Sequence, residues 1–111
     1  MKLLTKEIRS KLPGLGAQEG KGDEAIAYVK FFTPYSSWTW YATEGEPVLD
    51  QNEETDFMFF GLVFGFEKEI GYFSLKELKS VRGPLGLGIE RDLFFKPKPL
   101  KECKDPCGLH G

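Results

Sequence analysis

The sequence predicts an α+β fold: a single domain with a twisted antiparallel sheet of about four to five strands and two or three short helices. Three observations carry that prediction. Ten Phe, four Tyr and two Trp among 111 residues give an aromatic share suited to pleated, half-buried surfaces. Runs of strand-forming residues recur between turn residues. One segment, Ser74-Leu75-Lys76-Glu77, carries the capping-box signature of a helix start. The length allows one core and leaves no room for a second domain. The domain is expected over residues 1–100, with 101–111 as a flexible C-terminal tail.

Leu4, Ile8 and Leu12 recur at helical spacing behind a capping Thr5, and Pro13-Gly14 stops the run, so residues 5–12 read as a short helix. Residues 14–23 hold four glycines and read as a loop. Residues 25–33 are rich in strand formers, and Pro34-Tyr35-Ser36-Ser37 supplies turn chemistry before Trp38–Thr43, which predicts a hairpin. In that second strand Trp38, Trp40 and Ala42 share one face, while Thr39, Tyr41 and Thr43 share the other. Residues 44–56 carry six carboxylates and no cation, with Gly45, Pro47 and Asn52 as breakers, and read as a long solvated loop.

Phe57 to Phe66 is apolar on both parities, as expected of a strand covered on both faces, and is the candidate central strand. Gly61 and Gly65 within it point to close approach by a helix or a bulky ring. Glu67-Lys68 is a charged turn, and Glu69–Phe73 a short partner strand. Ser74 then caps a helix from Leu75 to about Val81, with Phe73 and Leu78 at the hydrophobic-staple positions, and Gly83-Pro84 ends it. Residues 83–88 form an irregular loop. Residues 89–95 return extended, and the prolines at 97 and 99 keep the next residues out of a sheet interior.

Composition excludes several function classes. The net charge of −2 gives no bulk attraction to nucleic acid or anionic lipid. Its distribution is uneven: twelve of fifteen basic residues lie in residues 1–11 and 76–104, so one face becomes basic if those regions pack together. The longest apolar stretch is far short of the roughly twenty residues of a membrane-spanning helix. The first residues reach a charge before any apolar run, which does not read as a secretory leader. Two cysteines near the C-terminus do not make a disulfide framework. A cytoplasmic setting and no membrane partner are the expectation.

Candidate chemistry is sparse. His110 is the only histidine, so no triad assembles inside the fold. Cys103, Cys107 and His110 offer three zinc ligands in eight residues, but a structural site takes four and closes on a second pair elsewhere; neither a metal nor another cofactor is expected. Glu77-x-Lys79 is most simply helix-surface charge, Asp50-x-Asn52-x-Glu54 lacks the turn glycine and distal Glu of a calcium loop, and Gly83–Gly88 lacks the Lys-Ser/Thr of a P-loop. Trp38, Trp40 and Tyr41 beside Lys30 and Arg82 would make a base-stacking platform if exposed; the ordinary alternative is core. Glu90, Arg91 and Asp92 read as a recognition patch or, more simply, as an ion-pair lock tying a loop to a strand.

An ordered set of segments, Leu4-Thr-Lys-Glu-Ile8, Tyr28-Val-Lys-Phe-Phe-Thr-Pro34, Trp38-Thr-Trp-Tyr-Ala-Thr-Glu44, Phe60-Gly-Leu-Val63, Gly71-Tyr-Phe-Ser-Leu75, Val81-Arg-Gly-Pro-Leu-Gly-Leu87, Ile89-Glu-Arg-Asp-Leu93 and Lys98-Pro-Leu100, resembles the uncharacterised small bacterial family known as domain of unknown function 2958. The resemblance implies carriage by plasmids, conjugative elements or phages and no assigned activity, so no functional residue transfers. The tail from Cys103 and the acidic stretch after Glu44 depart from the family pattern.

These readings lead to a non-enzymatic accessory protein of a mobile element that acts through protein–protein contacts. The first alternative is single-stranded nucleic-acid binding, weak at this net charge, through aromatic stacking and a basic face. The second is a carboxylate-dependent enzyme using Glu69, Glu90 or Asp92.

Overall fold

The computed structural model describes residues 2–105. Along the chain run α1 (Lys6–Lys11), β1 (Ile26–Ala27), β2 (Val29–Phe32), β3 (Thr39–Asp50), β4 (Glu53–Phe64), β5 (Lys68–Ser74), α2 (Leu75–Ser80), β6 (Glu90–Arg91) and β7 (Lys98–Pro99). Short 3₁₀ turns occupy Gly22–Glu24, Pro84–Gly86 and Leu100–Glu102. Five strands make one antiparallel sheet in the order β5-β4-β3-β2-β6, and β1 pairs with β7 apart from it. The mixed α+β class, the single domain and the antiparallel pairing are those the sequence predicts.

Both helix starts form on their local signals. The Thr5 hydroxyl accepts the Ile8 N–H at 3.2 Å, and the Ser74 hydroxyl accepts the Glu77 N–H at 3.1 Å. Phe73 and Leu78 are buried in the same core, as a staple requires. A longer-range partner completes the second cap: Asp56 Oδ1 accepts the Lys76 N–H at 3.0 Å. Burial opposes the Asp56 charge, but bonds from the Phe57 and Lys76 amides and the Ser74 hydroxyl outweigh it and hold the carboxyl below its usual range.

The stretch 44–56 is not a loop. β3 continues to Asp50 and β4 begins at Glu53, paired antiparallel with Asp50 opposite Glu53 and one further register shift between Val48 and Leu49. Gln51 and Asn52 both take positive φ, 51° and 67°, the backbone of a two-residue hairpin turn. The strand pattern is hidden because the register shifts between Ala42 and Glu44. Thr43 is an extra residue there, and a one-residue slip sends every later side chain to the opposite face. Pro47 is tolerated because β2 pairs with β3 only as far as Ala42, leaving the far half of β3 unpaired on that side.

β4 is an interior strand as expected, but β3 holds the central place in the sheet. The two parities of β4 feed two cores. Phe57 and Phe59 pack with Val29, Phe31, Trp40, Phe73 and the helix-side residues Leu4, Leu12 and Leu78. Leu62 and Phe64 pack on the other face with Ala27, Tyr41, Leu100 and Cys103. Gly65 admits a bulky ring, since a Cβ there would stand 2.4 Å from the Trp38 ring. Gly61 admits neither helix nor ring: its neighbour is the backbone carbonyl of Tyr41 across the bulge.

The packed domain also runs past residue 100. Leu100 and Cys103 are buried, and the Tyr41 hydroxyl donates to the Lys104 carbonyl at 2.7 Å. Residues 101–105 are therefore part of the fold rather than of a flexible tail, and the remainder of that tail lies outside the described residues. No helix among the described residues is long and apolar enough to cross a membrane.

Candidate functional site

Among the described residues, the face of the sheet away from the helices is only half covered, and its uncovered part is a groove of about 880 Å³. Phe60, Leu62 and Phe64 of β4 and Ile70 and Tyr72 of β5 form the floor. Register places Phe60 opposite Tyr72 and Leu62 opposite Ile70, and the Phe60 and Tyr72 rings meet edge-on with centroids 4.9 Å apart. Ile70 is 56% exposed and Tyr72 67%. One wall is the glycine-rich segment 16–25, the other the 3₁₀ turn at Leu100–Glu102 with Cys103 and Asp105. Clefts of this size with an aromatic floor and a few polar rim groups are the usual form of a binding site.

The first wall stands where it does because of residues that read from the sequence as solvated. Glu44 is 4% exposed, and its carboxylate accepts the Gly16 N–H at 2.7 Å and the Gln18 N–H at 2.8 Å. Glu46 accepts the Leu15 N–H at 2.8 Å. The Gln18 side chain, also buried, donates to the carbonyls of Ile26 and Thr43 and accepts the Ile26 N–H. Three polar side chains thus strap the loop across the end of the groove. Glu44 faces this side only because the Thr43 bulge flips it there.

Two buried ionisable groups lie at this side: Cys103 in the second wall, and Tyr41 of β3 behind it. Burial pushes Tyr41 up to about 12, with the Cys103 thiolate and the Asp92 and Asp105 charges adding to it. Burial likewise pushes the Cys103 thiol up to about 11, and its Sγ lies 3.6 Å from the Pro99 carbonyl. Both groups stay protonated in the fold while their unfolded counterparts ionise from about 9 to 10, so the unfolded chain loses protons first and stability falls as pH rises. Alkaline titration followed by circular dichroism should show the melting midpoint dropping between pH 9 and about 12, less steeply in Cys103→Ala. A flat profile would mean that this wall is open to water.

A second cleft, of about 1090 Å³, lies on the helix side. It brings together cations from both basic regions of the chain, with Lys2, Lys6 and Arg9 from the N-terminal segment and Lys79 and Arg82 from α2 and the loop after it. Arg9 makes a two-pronged pair with Glu54 at 2.6 and 2.7 Å, which raises its own pKa and lowers that of Glu54. Arg82 donates to the carbonyls of Lys79 and Val81 at 2.5 and 2.7 Å, closing off the C-terminal end of α2.

The stacking platform does not assemble. Trp40 is 8% exposed and Tyr41 2%, and they lie in opposite cores. Trp38 is half-buried between Trp40 and Phe66, with centroids at 5.7 and 5.2 Å. Lys30 lies near the Tyr41 and Phe32 rings and pairs with Asp92 at 3.7 Å. Glu90 and Arg91 form β6 on β2. Arg91 donates to the carbonyls of Lys2 and Leu3, and Asp92 accepts the Phe94 N–H at 2.9 Å. These three residues fasten the N-terminal segment and the following turn to the sheet.

The carboxylates of the enzymatic reading do not converge. Glu69 is on one edge strand while Glu90 is on the other and Asp92 just beyond it, about four strand spacings of roughly 4.8 Å away. Among the described residues no three His, Cys, Asp or Glu side chains group to hold a metal ion, and Cys107 and His110 lie outside the described residues.

The chain matches the family model described as "Protein of unknown function (DUF2958)" over residues 3–102. No curated protein and no solved structure matches it.

Proposed function

We propose that this chain, which belongs to the DUF2958 family, is a non-enzymatic binding protein that takes an extended, apolar segment of a partner protein along β5 and the groove beside it. The observation that carries the reading is a sheet edge that no described residue pairs, continuous with an apolar groove. Among the described residues β5 is hydrogen-bonded on one side only, to β4. Sheet edges are ordinarily blunted by brevity, proline, bulges or charge. β5 is seven residues long and pairs without a register shift. Its charges sit at Lys68 and Glu69, leaving Ile70-Gly71-Tyr72-Phe73 uncharged. A strand added there gains main-chain hydrogen bonds, and its alternate side chains fall beside the exposed Ile70 and Tyr72 of the groove floor. The mobile-element setting implied by the sequence resemblance suits an accessory protein of this kind. The nucleic-acid reading is less well supported, because two of its three rings are buried.

The test is a titration with a labelled peptide of about eight residues alternating Val and Thr. Saturable binding that is lost in Tyr72→Glu and weakened in Ile70→Lys supports the reading. Binding unchanged by both substitutions, no binding at all, or a dimer of this chain joined through β5 in sedimentation would sink it.

A further inference from the structure

We infer that the cleft between the N-terminal segment and α2 is a second binding site, for an acidic segment of a protein that also carries aliphatic side chains. Charge is the first ground. The chain as a whole is net negative, yet Lys2, Lys6, Lys79 and Arg82 stand together around one cleft in which, among the described residues, Glu90 is the only lining carboxylate. Among the described residues none of these four cations has a carboxylate within ion-pair distance. A concave surface lined by one sign of charge concentrates ligands of the other sign.

The floor is the second ground, and it selects among anions. Leu3, Leu4, Leu75, Leu78 and Ile89 line the cleft and, among the described residues, no aromatic ring does, so these residues give the bases of a single strand nothing to stack on. The two guanidinium groups are already engaged, Arg9 by the Glu54 carboxylate and Arg82 by backbone carbonyls. Neither offers the free fork that recognises phosphate in two-pronged fashion. The cleft presents lysine point charge over an aliphatic base. That matches a peptide alternating carboxylate and leucine-like side chains. This site lies on the opposite face of the sheet from the groove and does not depend on it.

The experiment is fluorescence anisotropy on the intact protein with a labelled peptide of about twelve residues built from Glu, Asp and Leu, run beside a single-stranded oligonucleotide of similar length. The peptide should bind and weaken as salt is raised from about 50 to about 300 mM. Lys6→Glu with Lys79→Glu should weaken it about tenfold or more. Both positions are exposed, so the double variant should melt as the parent does, and Lys6→Gln with Lys79→Gln gives the milder loss if it does not. Tyr72→Glu, in the groove, should leave this binding unchanged, which separates the two sites. Equal or tighter binding of the oligonucleotide, no saturable peptide binding, or peptide binding indifferent to both lysine variants would overturn the inference.

Discussion

Alanine at Gly61 is expected to destabilise the protein by about 3 kcal/mol or more, the upper end of what overpacking costs, while alanine at Gly71 is expected to be harmless. The two glycines are direct cross-strand partners in β4 and β5, so the comparison holds sheet position nearly constant. A Cβ at Gly61 would stand 1.8 Å from the Tyr41 carbonyl oxygen and 3.0 Å from the Ala42 Cα. Both are backbone atoms of the central strand, fixed by its ladder, and neither can swing away as a side-chain tip does. A Cβ at Gly71 meets nothing within 4 Å, and the lost freedom of the unfolded chain should make the change neutral or stabilising by roughly 0.5–1 kcal/mol. Urea melts of the two variants check this. Equal stabilities would mean that the bulge at Thr43 is not rigid.

The second large effect is expected at Glu44. Alanine there removes a buried acceptor from two backbone amides, each a charge-assisted bond worth about 1.5–3 kcal/mol. Water reaches the Gly16 side of the strap more readily than the Gln18 side, since Gly16 is exposed and Gln18 buried. A net loss of about 2–3 kcal/mol follows, or roughly 10–20 °C in Tm for a domain of this size. Glu44→Gln keeps one acceptor oxygen but turns an amide donor toward a donor, so it should recover only part of the loss. Because the strap also forms one wall of the groove, Glu44→Ala should weaken peptide binding there in the temperature range where the variant is still folded. A thermal midpoint unchanged by Glu44→Ala would show that residues 14–20 hold their place without the carboxylate.

Features decided by near neighbours are legible in the sequence. The Thr5 and Ser74 caps, the Phe73–Leu78 staple and the hairpin through residues 34–37 each depend on residues a few places apart, and each forms. The apolar run in β4 announces an interior strand because both its parities are buried.

The acidic stretch reads as a loop because its partners are remote. Glu44 holds Gly16 and Gln18, Glu54 holds Arg9, and Asp56 holds Lys76. No local pattern distinguishes a carboxylate that clasps a distant amide from one that faces water. The bulge compounds this by breaking the alternation at the point where the charged residues begin. Asn52, a turn residue of the kind that accepts positive φ, is the one local sign of a hairpin, and a turn residue reads equally as a breaker.

The candidate sites are legible to different degrees. Charge bookkeeping anticipates the basic cleft in part: Lys79 and Arg82 pack beside the N-terminal cations, while Lys101 lies on the other face of the sheet. The aromatic platform fails because tryptophan and tyrosine alternating on one strand are sent to opposite faces, and here both faces are core. The groove leaves no sequence signal of its own. Phe60, Leu62, Ile70 and Tyr72 look like any other core residues until the sheet is built and the described part of the covering layer stops short of them.

Strand addition depends above all on the free edge of β5, and amide hydrogen exchange on the protein with the alternating Val/Thr peptide tests it most directly. In the unbound protein the β5 amides that point away from β4 should exchange quickly, having no strand beyond them. With peptide bound, protection should rise in residues 68–74 and leave α1 and α2 unchanged. Protection that appears only around α1 and α2, or binding without any slowing in residues 68–74, would contradict strand addition.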